Sequence, residues 1–227
     1  MNPRLPAIAA VALWLPMMLS AQTAPPASLY GKIDGQTYVA PGGFYKIPVP
    51  VLPEFGGEIH DTENVVTFDD AVSTHISIAS FPLDMSLKWE FDTRGPREFH
   101  SFFYAHYVLG DFQARYPGTT TEGVQFLPGL QGGALLVFIQ LPGGSFFEGK
   151  ASVLDDAGST PAVAKRGNLL FVRDGRIFVL SSELAERVTQ RSVFQKTPEQ
   201  ENEILRNRMI ELASRLQFPV KPAPKKS

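Results

Sequence analysis

The sequence predicts an α+β fold in which helices pack on a central antiparallel sheet. Three observations predict it. Strand-like segments follow one another along the chain and are joined by short turns, one apolar segment is hydrophobic on both of its alternating faces, and two helical patterns flank this run of strands. The chain is 44 % hydrophobic with 17 phenylalanines and no cysteine, so its stability must come from an apolar core rather than from disulfides.

The first 21 residues have the layout of a secretory signal peptide. Arg4 supplies a positive start, Leu5 to Leu19 is an uncharged apolar run, and cleavage is expected after Ala21. As a helix this run rises only about 22 Å, short of the roughly 30 Å of a membrane's hydrocarbon core. We therefore expect an exported protein, in the bacterial periplasm, without a membrane span after cleavage. The expected organisation is a signal peptide (1–21), a flexible lead-in (22–28), one α+β domain (29–218) and a disordered basic tail (219–227).

The first strands are marked by turn residues and prolines. Residues 29–39 predict one or two short strands with a turn at Asp34-Gly35. In the next segment Tyr45 to Val51 alternate in polarity, and Pro48 and Pro50 remove backbone donors along one lateral edge. This pattern predicts an edge strand that pairs on one side only. It disfavours a phosphate-binding glycine loop, because such a loop needs free backbone N–H groups.

The remaining strands are predicted from hairpin signals and apolar runs. Residues 64–68 and 75–80 predict a hairpin. The run GALLVFIQL (133–141) predicts a central strand that is covered on both faces. The segment FVRDGRIF (171–178) predicts two strands joined by a two-residue turn at Asp174-Gly175.

Two helices complete the prediction. Residues 96–115 begin with Pro96 and end before Tyr116-Pro117-Gly118. A second helix runs from Thr197, which can form a capping box with Gln200, to about Leu216. Its predicted buried face comprises Leu205, Met209, Leu212 and Leu216.

Two segments resemble the PsbP-like proteins. The opening YVAPGGFYKIPVP is similar to the start of that family, where a glycine-led strand ends in proline, and the closing MIELASRLQFP is similar to its final helix and apolar exit. The resemblance implies an α/β/α sandwich built on an antiparallel sheet. It also implies an accessory or binding protein rather than an enzyme. The leader followed by one domain is likewise typical of exported bacterial proteins.

Candidate metal ligands gather near the first hairpin. His60 and Asp61 precede it, and Asp69 and His75 flank its turn. Imidazole and carboxylate groups suit zinc or calcium ions. The alternative is ordinary turn chemistry, for which Asp, Asn and Thr are common. We therefore name no catalytic or cofactor-binding residue and keep these four side chains as weak metal candidates.

Other patterns are read as structural. GSFFEGKA (144–151) nearly fits a phosphate loop, but Ala151 replaces the Ser or Thr that would hold magnesium. Ser145 follows two glycines without a histidine nearby in sequence. Lys165-Arg166 could bind an acidic group, although a protective role at a strand edge is the preferred interpretation. His106, within the phenylalanine stripe of the first helix, is expected to be partly buried with its hydrogen bonds satisfied.

These patterns leave three hypotheses for the function. The net charge of −2 and the single basic tail exclude a nucleic-acid interface, and no cofactor is indicated. The first hypothesis is an exported, non-enzymatic accessory or binding protein with a protein or small-molecule partner. The alternative is a periplasmic hydrolase or metal-dependent enzyme whose site residues are scattered in sequence. The alternative gains support if two or more of the four candidates meet within hydrogen-bond reach in a cleft. A third hypothesis is a structural factor of the cell envelope, held by protein contacts along the unblocked sheet edge.

Overall fold

The structure is a computed structural model that describes residues 29–148, 162–190 and 193–219. The predicted leader with its cleavage site after Ala21, the lead-in and residues 220–227 of the tail lie outside these ranges. Within the ranges, no helix has both the length and the apolar character needed to cross a membrane.

Ten strands in the described residues form two antiparallel sheets. Seven strands make the large sheet, in the order β4-β5-β6-β10-β9-β8-β7, and three make a small sheet, in the order β1-β2-β3. The strands are β1 (Lys32–Asp34), β2 (Thr37–Val39), β3 (Lys46–Pro48), β4 (Glu58–Asp61), β5 (Val65–Asp69), β6 (His75–Pro82), β7 (Thr120–Leu127), β8 (Ala134–Pro142), β9 (Val163–Arg173) and β10 (Arg176–Glu183).

Helices cover both faces of the large sheet, which confirms the predicted α+β class. The helical segments are α1 (Met85–Phe103), a π-helical segment (Tyr104–Val108), α2 (Leu109–Arg115), the short α3 (Glu186–Thr189) and α4 (Pro198–Arg215). One core lies between the sheet and α1, and includes Phe99, Leu135 and Leu170. The other lies between the sheet, α4 and the small sheet, and includes Leu136, Met209 and Tyr38. The large sheet is therefore the middle layer.

The central strands are arranged as their sequences predict. β8 pairs with β7 and β9, and its successive residues Leu135 and Leu136 enter opposite cores. The β9–β10 turn places Asp174 at φ 52° and Gly175 at φ 74°, as a tight two-residue hairpin turn requires. The β5–β6 hairpin is confirmed by the pairing of Asp69 with His75.

The proline-rich strand is an edge strand, but of the small sheet. β3 pairs with β2, and the amide of Val49 donates to Gln36 O at 2.8 Å on that side. Pro48 and Pro50 fall on the other side, where they remove two donors. Lys46 uses that outer edge for a single bridge with Gln217. The predicted one-sided pairing is confirmed. The strand does not belong to the large central sheet as expected, because it is part of the small sheet that packs on one face of that layer.

The first helix begins earlier than the sequence prediction placed it. Asp84 caps α1 by accepting from the amide of Leu87 at 2.8 Å, and the segment before Pro96 is already helical. Gly95, at φ 75° and ψ 168°, separates it from the predicted helix. A positive φ favours glycine and changes the chain direction. The stop is confirmed, since α2 ends at Arg115.

The last helix is confirmed with its cap. Thr197 and Gln200 form the capping box, with Pro198 as the first helical residue. The predicted buried side chains Leu205, Met209, Leu212 and Leu216 are all at most 6 % exposed. Glu201 is buried as well, at 5 % exposure. Its position near the helix N-terminus therefore has a second cause beside the helix dipole.

That cause is a buried lysine on the central strand β9. Lys165 is fully buried, and its Nζ lies 2.8 Å from a carboxylate oxygen of Glu122 and 3.1 Å from one of Glu201. The ammonium also donates to Pro198 O at 3.2 Å. Arg187 reaches the same Glu201 carboxylate at 2.7 Å. This network ties α4 to β9 and to the edge strand β7.

The sequence interpretation of Lys165-Arg166 as a protective pair at a strand edge is wrong. Both residues lie on β9, which has neighbours on either side, and both are buried. Adjacent residues of a strand point to opposite faces. The two cations therefore enter different layers, where buried carboxylates neutralise them.

We predict that Lys165→Met destabilises the fold by about 3–5 kcal/mol, because it leaves Glu201 and Glu122 partly buried without their main cation. Urea unfolding of the purified protein measures this change. Lys88→Met is the matched control, since Lys88 pairs with Asp92 on the exposed surface of α1. The control should stay within about 0.5 kcal/mol of the parent protein. Equal free energies for the two variants would contradict a stabilising role for the network.

Candidate functional site

The four weak metal candidates lie on neighbouring strands but divide into separate interactions. His60 is exposed, and its Nε2 lies 3.1 Å from an oxygen of Glu58. Asp61 points to the other face of β4 because the two are consecutive on a strand. Asp69 and His75 meet each other instead, across the β5–β6 hairpin. The prediction that these side chains lie close together is therefore correct for Asp69 and His75.

Asp61 of β4 connects the small sheet to the large one through hydrogen bonds. Its carboxylate accepts hydrogen bonds from the amides of Tyr30 and Gly31, at 2.9 and 2.7 Å, and from the hydroxyl of Tyr38 at 2.8 Å. Burial of Tyr38, followed by its hydrogen bond to Asp61, raises the pKa of the phenol. Tyr38 therefore stays protonated and remains a donor. Asp61 has a structural role here.

The Asp69–His75 pair is the one contact among the four candidates that resembles a catalytic arrangement. Asp69 Oδ1 lies 2.5 Å from His75 Nδ1, and the two side chains are only 8 % and 15 % exposed. The ring of His75 stacks on Phe146, with 4.5 Å between ring centroids. A carboxylate on one ring nitrogen orients an imidazole and directs the other nitrogen elsewhere.

No group of three or more His, Cys, Asp or Glu side chains within residues 29–148, 162–190 and 193–219 is arranged to hold a metal ion. A structural zinc site needs four ligands, and a catalytic one keeps at least three from the protein. The Asp69–His75 pair alone does not reach that number.

The glycine-led segment after β8 is bound by a carboxylate. Glu183 is buried and accepts from the Ser145 hydroxyl at 2.6 Å and from the amide of Phe146 at 3.1 Å. Arg166 holds the same carboxylate at 3.0 Å and donates to Gly144 O at 3.0 Å. Ser145 is thus a donor to Glu183, and residues 146–148 form a turn rather than a helix. The rest of the near-motif, including Ala151, lies outside the described residues.

A groove of about 320 Å³ opens between α4 and the same end of the sheet. Three hydroxyl side chains and three apolar ones line it together with two ion pairs. They are Ser73, Thr74, Ser182, Pro50, Ile76, Leu212, and the pairs Glu186–Arg208 and Glu211–Arg215. Ile76 and Ser182 are directly paired across β6 and β10, so the groove lies on the α4 face of the sheet.

The charges in the groove are neutralised in pairs. The guanidinium of Arg208 donates two hydrogen bonds to the Glu186 carboxylate, at 3.2 and 2.5 Å. Burial of Glu186 opposes its ionisation, but these bonds prevail and lower the pKa of the carboxyl. At one end of the groove, burial likewise opposes ionisation of Asp70, yet the amides of Ser73, Thr74 and Val72 bind its carboxylate and lower its pKa. The four charged side chains of the lining therefore carry no net charge together.

Three exposed apolar side chains belong to the two loops that supply Pro50, Ser73 and Thr74 to the groove. Leu52, Phe55 and Val72, which we call the apolar rim, are 55 %, 56 % and 56 % exposed. The amide of Ala71 donates to Phe55 O at 3.2 Å, which brings the two loops together. Sequence reasoning missed this rim, because the strand prediction ended at Val51 and assigned no role to the residues that follow. Leu52 and Phe55, which lie beside Pro53 and Gly56, were the available signal.

The buried histidine of the first helix is His100, and not His106 as the phenylalanine stripe predicted. His106 is exposed and bonds to Phe102 O at 2.9 Å. His100 is fully buried between Phe91 and Phe99, and neither of its ring nitrogens has a partner among the described residues. Burial lowers the pKa of His100 from 6.5 to about 4.

Comparison with solved structures identifies the fold. The solution structure of cyanobacterial PsbP (CyanoP) from Synechocystis sp. PCC 6803 superposes with a TM-score of 0.51 and 12 % identity, over 83 % of this chain and 98 % of CyanoP. The chain has a PsbP-like fold. The Saccharomyces cerevisiae Ran-binding protein Mog1p gives a TM-score of 0.43 and 10 % identity, over 84 % of this chain and 96 % of Mog1p. No protein-family model and no curated protein matches the chain.

We predict that acid destabilises this protein partly through His100. Its pKa is about 4 in the folded state and 6.5 without burial, so between these values only the unfolded chain binds the proton. Stability is therefore lost as the pH falls from about 6.5 to about 4, by roughly 3 kcal/mol in total. His100→Phe should remove this part of the loss.

The measurement compares urea unfolding of the two proteins at about pH 7.5 and about pH 4. The difference between their stabilities should change with pH, because the other titrating groups are common to both. A constant difference across this range would contradict the assignment.

Proposed function

We propose that this chain is an exported, non-enzymatic accessory protein that binds a partner protein through the groove and its apolar rim. The observation that carries the proposal is that Leu52, Phe55 and Val72, each more than half exposed, lie on the two joined loops that also line the groove through Pro50, Ser73 and Thr74. Contiguous exposed apolar side chains bordered by polar groups are typical of interaction sites.

A protein partner fits better than a small molecule. The groove could hold a few side chains or a small ligand. A small ligand inside it would leave the rim in water, whereas a protein segment crossing the mouth would bury both. The pairing of Arg208 with Glu186 and of Arg215 with Glu211 leaves no net charge to attract an ionic ligand. The favoured partner is therefore an uncharged protein segment with an apolar anchor beside hydroxyl or amide groups.

Export is supported by the leader pattern in the first 21 residues, and the lack of cysteine fits a protein that does not depend on disulfides outside the cytoplasm. The accessory role is what the sequence resemblance to PsbP-like proteins implies. These two arguments support a partner in the bacterial periplasm.

The test is site-specific photocrosslinking in cells that naturally make the protein. A photoreactive amino acid in place of Phe55 should yield one adduct of defined mass, since the rim is expected to lie against the partner. The matched control is Val124, which is 57 % exposed and lies on β7. That edge strand is separated from β6 and β10, the strands of the groove, by β9 and β8. Adding Leu52→Ser and Val72→Ser should reduce the Phe55 adduct several-fold. No adduct at position 55, or equal adducts at both positions, would refute the proposed docking site.

A second candidate function, hydrolysis, is favoured by the Asp69–His75 pair. The two groups meet at 2.5 Å, which meets the distance required by the sequence hypothesis, although neither residue lines the groove. In such an enzyme His75 would act as general base toward water, oriented by Asp69. Incubation of the purified protein with model esters, phosphoesters and peptides tests this candidate. Turnover that falls at least about a hundredfold in His75→Gln would support it, and absence of turnover or an equal rate in the variant would exclude that role.

A further inference from the structure

Two large apolar side chains in the first turns of α1 are exposed to solvent. Met85 is 91 % exposed and Trp89 is 63 % exposed. They lie four residues apart, so they share one face of the helix. Leu87 and Phe91, on the opposite face, pack against the core between the sheet and α1. The helix therefore buries its inward face and leaves Met85 and Trp89 outside, and we call these two residues the exposed pair.

This part of α1 runs along one end of the large sheet. Before it begins, the amide of Leu83 donates to Gly175 O in the β9–β10 turn, at 2.9 Å. Where it ends, Pro96 lies so close to Gly133, just before β8, that a Cβ atom on Gly133 would come within 3.2 Å of the Pro96 Cβ. The start of β8 pairs with the end of β9, so both hairpin turns lie at the same end of the sheet. We call it the turn end.

The exposed charges on this stretch of helix neutralise one another. Lys88 pairs with Asp92 at 2.5 Å, and Arg94 pairs with Glu90. Both pairs join residues four apart, which are neighbours on a helix surface. The stretch around the exposed pair therefore adds no net negative charge that would repel an anionic surface.

The described residues end at the turn end as well. β3 runs away from it, because Phe44, just before β3, lies under Arg176 at the start of β10, with 4.0 Å between the ring centre and the guanidinium carbon. Gln217 forms an antiparallel bridge with β3, so the chain beyond Gln217 runs towards the turn end. Arg173, the last residue of β9, stacks on the Phe218 ring at 4.3 Å, which agrees with this direction.

The segment that follows is basic. Residues 220–227 have the sequence VKPAPKKS, with three lysines and no acidic residue. Eight residues span at most about 27 Å when fully extended, whereas a helix with its side chains is about 10–12 Å across. The segment is therefore long enough to bring its lysines past the end of the sheet to a surface that touches the exposed pair.

These features fit the surface of an anionic membrane. Tryptophan is favoured at membrane–water interfaces, where its ring system meets lipid and its N–H meets water. Lysines are attracted by the negative surface potential of anionic lipids. Either signal alone gives weak attachment, and stable attachment takes two. Proline and lysine, which make up most of the basic segment, suit dispersed negative charge better than a shaped protein pocket.

We propose that the turn end binds the surface of an anionic lipid bilayer, with Met85 and Trp89 in the headgroup region and the lysines of residues 220–227 on the lipid phosphates. The attachment is peripheral, since no helix within the described ranges is long and apolar enough to span a membrane. It is independent of the proposed docking groove, which lies at the other end of β6 and β10, where Ile76 pairs with Ser182. A membrane at the turn end leaves that groove open.

The test is co-sedimentation of the protein, purified from cells that export it, with two kinds of vesicle. One kind is phosphatidylcholine alone, and the other is equal parts of phosphatidylcholine and phosphatidylglycerol. Binding to the anionic vesicles should be at least about tenfold tighter and should weaken as the salt concentration rises. Trp89 is the single tryptophan after the predicted cleavage site, and its fluorescence should shift to the blue on binding.

Two variants separate the apolar signal from the basic one. Trp89→Ser should weaken binding at least about fivefold, because it removes apolar area from the contact. Replacement of all three lysines of the basic segment by Gln should weaken it about a hundredfold, since each lysine adds roughly a factor of five. One control is Tyr107→Ser, an aromatic residue that is 52 % exposed on the π-helical segment, where Tyr104 bonds to Thr121 at the start of β7. The other is Lys196→Gln, an exposed lysine before α4. Both controls should bind like the parent protein.

A stability measurement separates loss of binding from loss of folding. Because Trp89 is exposed, Trp89→Ser should unfold at the same urea concentration as the parent protein, as followed by circular dichroism. The proposal is overturned if the protein binds neither kind of vesicle, if it binds both equally, or if either the Trp89 variant or the lysine variant binds like the parent. Unchanged Trp89 emission on sedimenting vesicles would also overturn it.

Discussion

The arrangement of the three layers depends on two successive cations of β9. Lys165 and Arg166 point to opposite faces of the sheet, and each meets a buried carboxylate. Lys165 joins Glu201 of α4 and Glu122 of β7, and Arg166 joins Glu183 of β10. A buried charge that loses its partner is costly, so these contacts are more specific than apolar packing. They set the position of α4 on one face and of the segment Gly144–Phe146 on the other.

The end of β10 connects these contacts to the proposed docking groove. Two consecutive residues have different tasks: Ser182 lines the groove, and Glu183 holds Arg166 and Ser145. Strand alternation points the two side chains to opposite faces. Because Arg166 and Ser145 both hold Glu183, this end of the groove has a rigid support, which is the arrangement that binding sites require.

The small sheet extends the α4 face and is attached at few points. Its residues Tyr38 and Ile47 enter the core with Phe68 and Met209, and Asp61 accepts three hydrogen bonds from its start. Pro48 and Pro50 keep its outer edge from pairing beyond Lys46. The chain that leaves this edge forms the turn at Pro53–Phe55 and carries two of the three residues of the apolar rim. The edge strand thus determines where the rim lies.

Local sequence alone determined the elements whose causes are local. The capping box at Thr197, the Asp174-Gly175 turn, the one-sided pairing around Pro48 and the doubly buried run of β8 depend on neighbouring residues and on backbone chemistry, and all are confirmed. The tertiary structure alone decided which side chains meet. Glu201 and Lys165 are far apart in sequence, His100 rather than His106 is buried, and β3 stacks on the central sheet instead of joining it. The reason is physical: burial, ion pairing and the register that forms the groove arise only between elements, and no short stretch of sequence contains both partners.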